Sequence, residues 1–161
     1  MSRSGIKFAR IKPGIWETRK MRAASVHAKL IAIYLMTNGY YRMLGIYRIP
    51  KHFIEKDTGL SENQVIESLS ELAKLEFCFY DDQTEVVWVC DMAMSQVAER
   101  PNAQQKKGVI NELTRMYVDH EYPYVQEFID KYRKDYSFLP VSADLLLDYS
   151  DKPEESSEYY E

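Results

Sequence analysis

The stretch GIYRIPKHFIEKDTGLSENQVIESLSELAKL, residues 45–75, carries the clearest secondary-structure signals in the chain. Residues 45–49 combine β-branched and aromatic side chains just before a proline, which is typical of a short strand. Residues 51–58 predict a helix, and Gly59 ends it because glycine readily adopts the left-handed conformation after a helix. A serine suited to capping comes next, and apolar side chains recur at helical spacing through residues 62–75. We therefore predict a strand and two helices joined by a tight turn.

Further elements flank this unit on both sides. Residues 25–38 predict a helix with Ser25 as its N-cap. Residues 77–80 and 85–90 are rich in aromatic and β-branched side chains, and a polar turn separates them, so they predict a β-hairpin. Upstream, residues 12–18 contain apolar anchors and predict a short ordered lead-in.

The register of the hairpin follows from the position of its turn. With residues 82–83 at the centre, Phe79 pairs with Val86, and Cys78 does not face Cys90. A disulfide between these cysteines is therefore disfavoured.

Helices continue after the hairpin. We predict one over residues 92–105, interrupted near Pro101, and two more over residues 109–117 and 123–136. Residues 151–161, DKPEESSEYYE, have a net charge of −4 and complete an acidic segment that we expect to be mobile.

The order helix, strand, helix, turn, helix and hairpin is that of a winged helix. We expect the strand at residues 45–49 to join the hairpin in a three-stranded sheet, which is close to the minimum for a stable sheet. The predicted fold class is mainly α with a small antiparallel β-hairpin, or α+β: a winged helix-turn-helix with a helical C-terminal extension. The predicted parts are a basic N-terminal arm (1–24), the winged-helix domain (25–95), the helical extension (96–140) and an acidic, mobile tail (141–161).

Charge is distributed unevenly along the chain. Residues 1–60 hold 12 Lys and Arg against 3 Asp and Glu, whereas residues 61–161 hold 9 against 22. The net charges are therefore +9 and −13, in agreement with −4 for the whole chain. Two such halves can act on different partners, although the simpler interpretation is a surface whose charges neutralise each other.

The composition points to a reducing intracellular compartment. No run of 18 apolar residues predicts a membrane span, and the N-terminus has no apolar core of a secretory signal. The chain has two cysteines and no CxxC motif, which is typical of a reducing compartment.

Over residues 6–97 the chain resembles the N-terminal winged-helix module of bacteriophage and prophage replication proteins, the replisome organisers and initiators. The features that carry the resemblance are the IKPxxW lead-in, the GIYRIP strand, the DTGL turn and the hairpin that runs into MAMSQ. The downstream NELTRMY and YPYVQEFIDKY segments are similar to helical segments of such proteins. The resemblance implies a non-enzymatic protein in the cytoplasm of a bacterial host. Such a protein binds duplex DNA in phage replication or its regulation, or engages a replicative helicase, its loader or another host protein.

A winged helix usually places its third helix, here residues 62–75, in the major groove. The positions expected to face bases are Asn63, Gln64 and Ser68. Glu67 and Glu71 on the same helix, and the acidic residues of the wing, would repel phosphate groups.

Phosphate contacts are therefore expected from basic residues elsewhere. The arm supplies six net positive charges, and a second basic group surrounds the strand and the second helix. The expected phosphate-binding residues are Arg10, Lys12, Arg19, Lys20, Arg22, Arg48, Lys51 and Lys56.

A protein-interaction module is the alternative function. The acidic half of the chain can dock on a basic host protein and inhibit or redirect it, with the winged helix as the docking surface. A homo-oligomer is compatible with either function.

No pattern in the sequence predicts catalysis, a metal site or a cofactor. His27, His52 and His120 lack metal-ligand spacing, and the six glycines form no phosphate-binding loop. Cys78 and Cys90 are expected to be packed rather than reactive.

Overall fold

The computed structural model describes residues 8–119 and 122–150 of the 161-residue chain. These residues are mainly helical with a small antiparallel sheet, which confirms the predicted α+β class. In chain order the elements are a 3-10 helix (Pro13–Glu17), α1 (Arg19–Ala23), α2 (Val26–Thr37), β1 (Ile46–Arg48), α3 (Lys51–Thr58), α4 (Glu62–Lys74), β2 (Cys78–Asp81), β3 (Val86–Val89), α5 (Met92–Gln96), α6 (Ala103–Val118), α7 (Val125–Tyr132), a second 3-10 helix (Ala143–Leu146) and α8 (Leu147–Ser150). No helix in the described part of the chain has the length and apolar character needed to cross a membrane.

The helices predicted around the opening stretch are present, with the expected ends. Ser25 caps α2 by accepting a hydrogen bond from the backbone N–H of Ala28. Gly59 follows α3 in the left-handed conformation with φ of 76°. Ser61 and Gln64 form a reciprocal capping box at the start of α4. The lead-in predicted near residues 12–18 is the first 3-10 helix.

The three strands form one sheet with β3 in the centre, between β1 and β2. The prediction that the strand before α3 joins the hairpin is therefore confirmed. Trp88 on β3 lies opposite Ile46 on one side and Phe79 on the other.

The predicted register of the hairpin is wrong by two residues. Phe79 pairs with Trp88 rather than Val86, and Asp81 is the residue opposite Val86. The Asp81 carboxylate accepts hydrogen bonds from the backbone N–H and the hydroxyl of Thr84, at 2.9 and 2.6 Å, so the turn begins after Asp81. Because the shift is an even number of residues, each side chain keeps its predicted face.

One face of the sheet packs on a first core built from the segments up to α5. Tyr47, Cys78 and Val87 point to this side, where they meet the apolar stripes of the helices. The fully buried helical side chains in this core include Ala28, Ile31, Leu35, Ile54, Val65 and Leu72.

The opposite face of the sheet packs on a second core formed by the C-terminal helices. Ile46, Val86 and Trp88 meet α6 and α7 there. The helical side chains that complete this core include Leu113, Met116, Phe128, Ile129 and Tyr132. The helical extension therefore covers the sheet instead of projecting from it.

The predicted elements after the hairpin need adjustment. The break near Pro101 is present, since α5 ends at Gln96 and α6 begins at Ala103. The next predicted helix is the second half of α6, and α7 is shorter than predicted.

The sequence assigns residues 141–161 to a mobile tail, and for residues 141–150 this prediction is wrong. Ala143 and Leu146 are buried in the second core, and the backbone N–H of Ala143 donates to Oε1 of Gln126 at 2.8 Å. These two apolar side chains repeat at helical spacing, so their burial stabilises the short helices. The remaining tail residues, 151–161, and arm residues 1–7 lie outside the described part of the chain.

Candidate binding site on the basic face

The described part of the basic arm, residues 8–24, packs on the first core. Met21 on α1 is only 1% exposed and anchors the segment. The hydroxyl of Tyr41 donates to the carbonyl of Phe8 at 3.0 Å, and Nε2 of Gln96 donates to the carbonyl of Arg10 at 2.9 Å. Both ends of the segment are therefore held against the body of the protein, which positions the backbone that carries its charged side chains.

Most of the arm cations predicted to bind phosphate are exposed on this folded segment. Arg10, Lys12, Arg19 and Arg22 are exposed. Lys56 is also exposed, on α3. Exposed cations held on a folded segment can contact a polyanion without ordering the backbone first.

Lys20 differs from its neighbours because it holds the arm to the sheet. Its Nζ lies 2.8 Å from Oδ2 of Asp91 and donates to the carbonyl of Glu76 at 2.8 Å. Nζ of Lys131, on α7, lies 3.2 Å from the other oxygen of Asp91. Burial opposes ionisation of Asp91 and is the largest single effect, but the two lysines together outweigh it and lower the pKa of the Asp91 carboxyl.

Arg48 and Lys51 also contact groups within the protein. Nε of Arg48 donates to the carbonyl of Thr84 at 3.1 Å, and its guanidinium carbon lies 5.9 Å from the centre of the Tyr122 ring. Lys51 forms an ion pair with Asp82 in the hairpin turn. These two predicted phosphate contacts therefore stabilise the hairpin, and a phosphate group would have to compete for them.

The positions predicted to face bases are only partly exposed. Asn63 is exposed at the start of α4. Oε1 of Gln64 accepts a hydrogen bond from the backbone N–H of Ser61 at 2.9 Å, so the carbonyl oxygen of this side chain is engaged in the helix cap. The prediction for Ser68 is wrong: it is only 3% exposed because it lies on the buried stripe of α4, between Val65 and Leu72.

Glu71 does not face a groove as the sequence suggested. Its carboxylate accepts hydrogen bonds from the backbone N–H and the hydroxyl of Ser25, at 2.7 and 2.6 Å. Glu71 therefore braces the N-terminus of α2, where a negative charge is also favoured by the helix dipole.

A cavity of about 530 Å³ opens between the arm, the end of β3 and α5. Its floor is apolar and consists of Ile11, Ile15, Met36, Phe77, Val89 and Met92. Its basic lining residues are Arg10, Lys12, Arg19 and Lys20, and Asp91 supplies an acidic group. Four of the predicted phosphate-binding residues thus surround one cavity, which the sequence did not reveal.

The sequence contained only a partial signal for this cavity. Ile11 and Ile15 are apolar residues in a basic segment and indicate that the segment packs on something. The other floor residues come from α2, the sheet and α5, so their meeting depends on tertiary packing.

Neither cysteine has the properties of a nucleophile. Burial raises the pKa of the Cys78 thiol far above its usual range. Burial also raises the pKa of Cys90 to about 11, with Lys20 acting in the opposite direction. The two thiols are free and lie in different cores, on opposite faces of the sheet.

Within residues 8–119 and 122–150, no group of three or more His, Cys, Asp or Glu side chains is arranged to hold a metal ion. Comparison with known proteins returned no match to any family model, curated protein or solved structure.

Proposed function

We propose that this protein is a winged-helix DNA-binding protein that acts in phage or prophage DNA replication or its regulation, without enzymatic activity. The observation that carries the proposal is the set of exposed cations on the folded arm: Arg10, Lys12, Arg19 and Arg22. A cluster of exposed cations attracts the phosphate backbone and releases counterions when it binds.

The arrangement of the elements supports the winged-helix assignment. A strand lies between α2 and α3, and it pairs with the returning strand of the hairpin that follows α4. Helices α2, α3 and α4 share one core. In this assignment α4 is the third helix and residues 82–85 are the tip of the wing.

The contacts favour binding to the DNA backbone over reading of bases. Gln64 is engaged in a helix cap and Ser68 is buried, which leaves Asn63 as the exposed candidate among the three. The wing carries acidic side chains, one of which is paired with Lys51. We therefore propose a modest sequence preference and an affinity that depends strongly on salt.

The test is fluorescence anisotropy with a labelled random-sequence duplex at 50 and 200 mM salt, on the scale set by counterion release. Four phosphate contacts predict affinity about 100-fold weaker at the higher salt. The double variant Arg19→Glu/Arg22→Glu should reduce the slope of log affinity against log salt by about 2.

A matched control is Arg133→Glu/Lys134→Glu, which makes the same charge change at exposed positions after α7. It should bind DNA nearly as well as the parent chain. Equal losses in the two variants would mean that net charge alone drives binding, and absence of binding at both salt concentrations would contradict the proposal.

An exposed apolar pair favours a protein-docking function as the second candidate. Val26 and Leu30 lie one turn apart on α2 and are 79% and 43% exposed. Their replacement by aspartate should abolish retention of a host protein in a pull-down without altering duplex binding. The same retention by parent and variant would exclude this helix as the docking surface.

A further inference from the structure

The cavity beside the arm combines an apolar floor with a basic rim. Its floor is formed by aliphatic, thioether and aromatic side chains. Its rim carries Arg10, Lys12 and Arg19, all exposed, together with Lys20. Lys20 is paired with Asp91, so the three exposed cations remain to meet an anionic ligand.

This combination fits an acidic peptide that carries an aromatic or aliphatic anchor. An apolar side chain in the floor is removed from water, while flanking carboxylates meet the cations at the rim. A nucleobase fits less well, because its polar edges would face an apolar floor and lose hydrogen bonds to water.

The chain itself contains a segment with this chemistry. Residues 151–161, DKPEESSEYYE, contain six acidic or basic side chains, of which five are acidic, and two adjacent tyrosines. Tyrosine suits the mouth of such a cavity because its ring is apolar and its hydroxyl can remain in water.

A chain of contacts connects the region just before this segment to the cavity. Asp91, which lines the cavity, is paired with Lys131 on α7. Gln126 lies five residues earlier on that helix, about 7.5 Å along its axis, and accepts a hydrogen bond from Ala143. From Ser150, nine further residues reach Tyr159 and span up to about 30 Å when extended.

We propose that the cavity is a peptide-binding site for residues 151–161 of the same chain, with Tyr159 or Tyr160 on the apolar floor and the flanking glutamates against Arg10, Lys12 and Arg19. This occupancy does not depend on DNA binding. If the proposed function also holds, the acidic segment and DNA compete for the same cations, and the segment lowers the affinity for DNA.

The test uses the full chain with a nitroxide label on Ser156→Cys and ¹⁵N NMR of the backbone amides. Cys78 and Cys90 are buried, so the label attaches to the introduced cysteine. We expect the amide signals of Gly14, Ile15 and Ser95, at the cavity, to lose most of their intensity relative to the sample with reduced label. The amides of Asn63 and Asp82, at α4 and the hairpin turn, should keep theirs.

Two variants separate the contributions of the anchor and of the charges. In the labelled chain, Tyr159→Ser/Tyr160→Ser and Arg10→Glu/Lys12→Glu should each restore the cavity signals, whereas Arg133→Glu/Lys134→Glu should not. The amide spectrum of each variant shows directly whether it remains folded.

Absence of signal loss at the cavity, or loss spread evenly over the surface, would overturn the proposal. Signal loss that persists in both the tyrosine and the arginine–lysine variants would also overturn it. A mixture of spin-labelled ¹⁴N chain and unlabelled ¹⁵N chain should show no effect, and an effect there would overturn binding within one chain in favour of binding between two copies.

Discussion

Both faces of the three-stranded sheet are buried. The segments that cover them differ in how clearly the sequence predicts which face they pack on. The first face is covered by α2, α3 and α4, whose apolar residues repeat at helical spacing. The second face is covered by α6 and α7 together with residues as distant as Leu44 and Leu146.

The central strand shows what this difference teaches. Every residue of β3, Val86–Val89, is buried, and Cys90 after it is buried too. A continuous apolar run is typical of a strand covered on both faces, whereas a strand with one face in water alternates apolar and polar residues. The run EVVWVCD thus contained evidence for a second layer, although it did not identify the segment that forms it.

The largest effect that tests this comparison is expected from Phe128→Ala. Phe128 is fully buried in the second core, so its truncation should lower the free energy of unfolding by about 3–5 kcal/mol. Because both cores share β3, unfolding in urea should remain a single transition by circular dichroism. Leu72→Ala in the first core is the matched change, with a loss of about 2–5 kcal/mol. Separate transitions for the two cores would show that the faces are independent.

A smaller effect is expected at Gly45, just before β1, where the backbone lies close to Val89 at the end of β3. Gly45 has φ of +79°, and a Cβ there would lie 2.7 Å from the carbonyl oxygen of Val89. Gly45→Ala should therefore destabilise the protein by about 2–4 kcal/mol, through backbone strain and a steric clash. Gly59→Ala is the control, since Gly59 has a similar φ of +76° but a Cβ added there would meet no atom within 4 Å. Only the backbone strain remains, and we expect a loss of about 1–2 kcal/mol. Equal losses of stability in the two variants, measured by thermal unfolding, would contradict the close approach of the backbone at Gly45.

On α4, Glu71 should contribute more to stability than Glu67, one turn earlier on the same helix. Glu71→Ala removes two hydrogen bonds to Ser25, and we expect a loss of about 1–2 kcal/mol in denaturant unfolding. Glu67 is exposed on the same helix, and Glu67→Ala should change stability by less than about 0.5 kcal/mol. Similar losses of stability in the two variants would show that the hydrogen bonds between Glu71 and Ser25 do not stabilise the protein.

The smallest effect is expected at Asp91, which connects the arm to α7. Its pKa is lowered in the folded state, so its stabilising contribution is present above the pKa of the unfolded chain and is lost as pH falls through the folded pKa. The side chain is 56% exposed, so solvent screening limits this contribution to about 1 kcal/mol or less. The difference in stability between the parent chain and Asp91→Asn should therefore shrink as pH is lowered below about 4. A difference that stays constant between pH 7 and pH 3 would contradict the ion pairs.

The candidate site was predictable in composition but not in arrangement. The sequence predicted that Arg10, Lys12, Arg19 and Arg22 carry the basic surface, and these side chains are exposed. It did not distinguish them from Lys20, because the partner of Lys20 lies 71 residues away. Ser68 was predicted to face outward because it is polar, although its spacing of three and four residues from Val65 and Leu72 places it on the buried stripe of α4.

The sequence by itself determined the local elements: the caps at Ser25 and Ser61, the left-handed Gly59, the strands, and the charge asymmetry between the two halves. These depend on interactions between residues a few positions apart, which a linear pattern records. Tertiary structure alone decided that the C-terminal helices cover the second face of the sheet, that the arm folds over an apolar cavity, and that Glu71 supports α2. These features depend on contacts between residues far apart in the chain, because apolar burial has no preferred direction along the sequence and selects partners by shape and position.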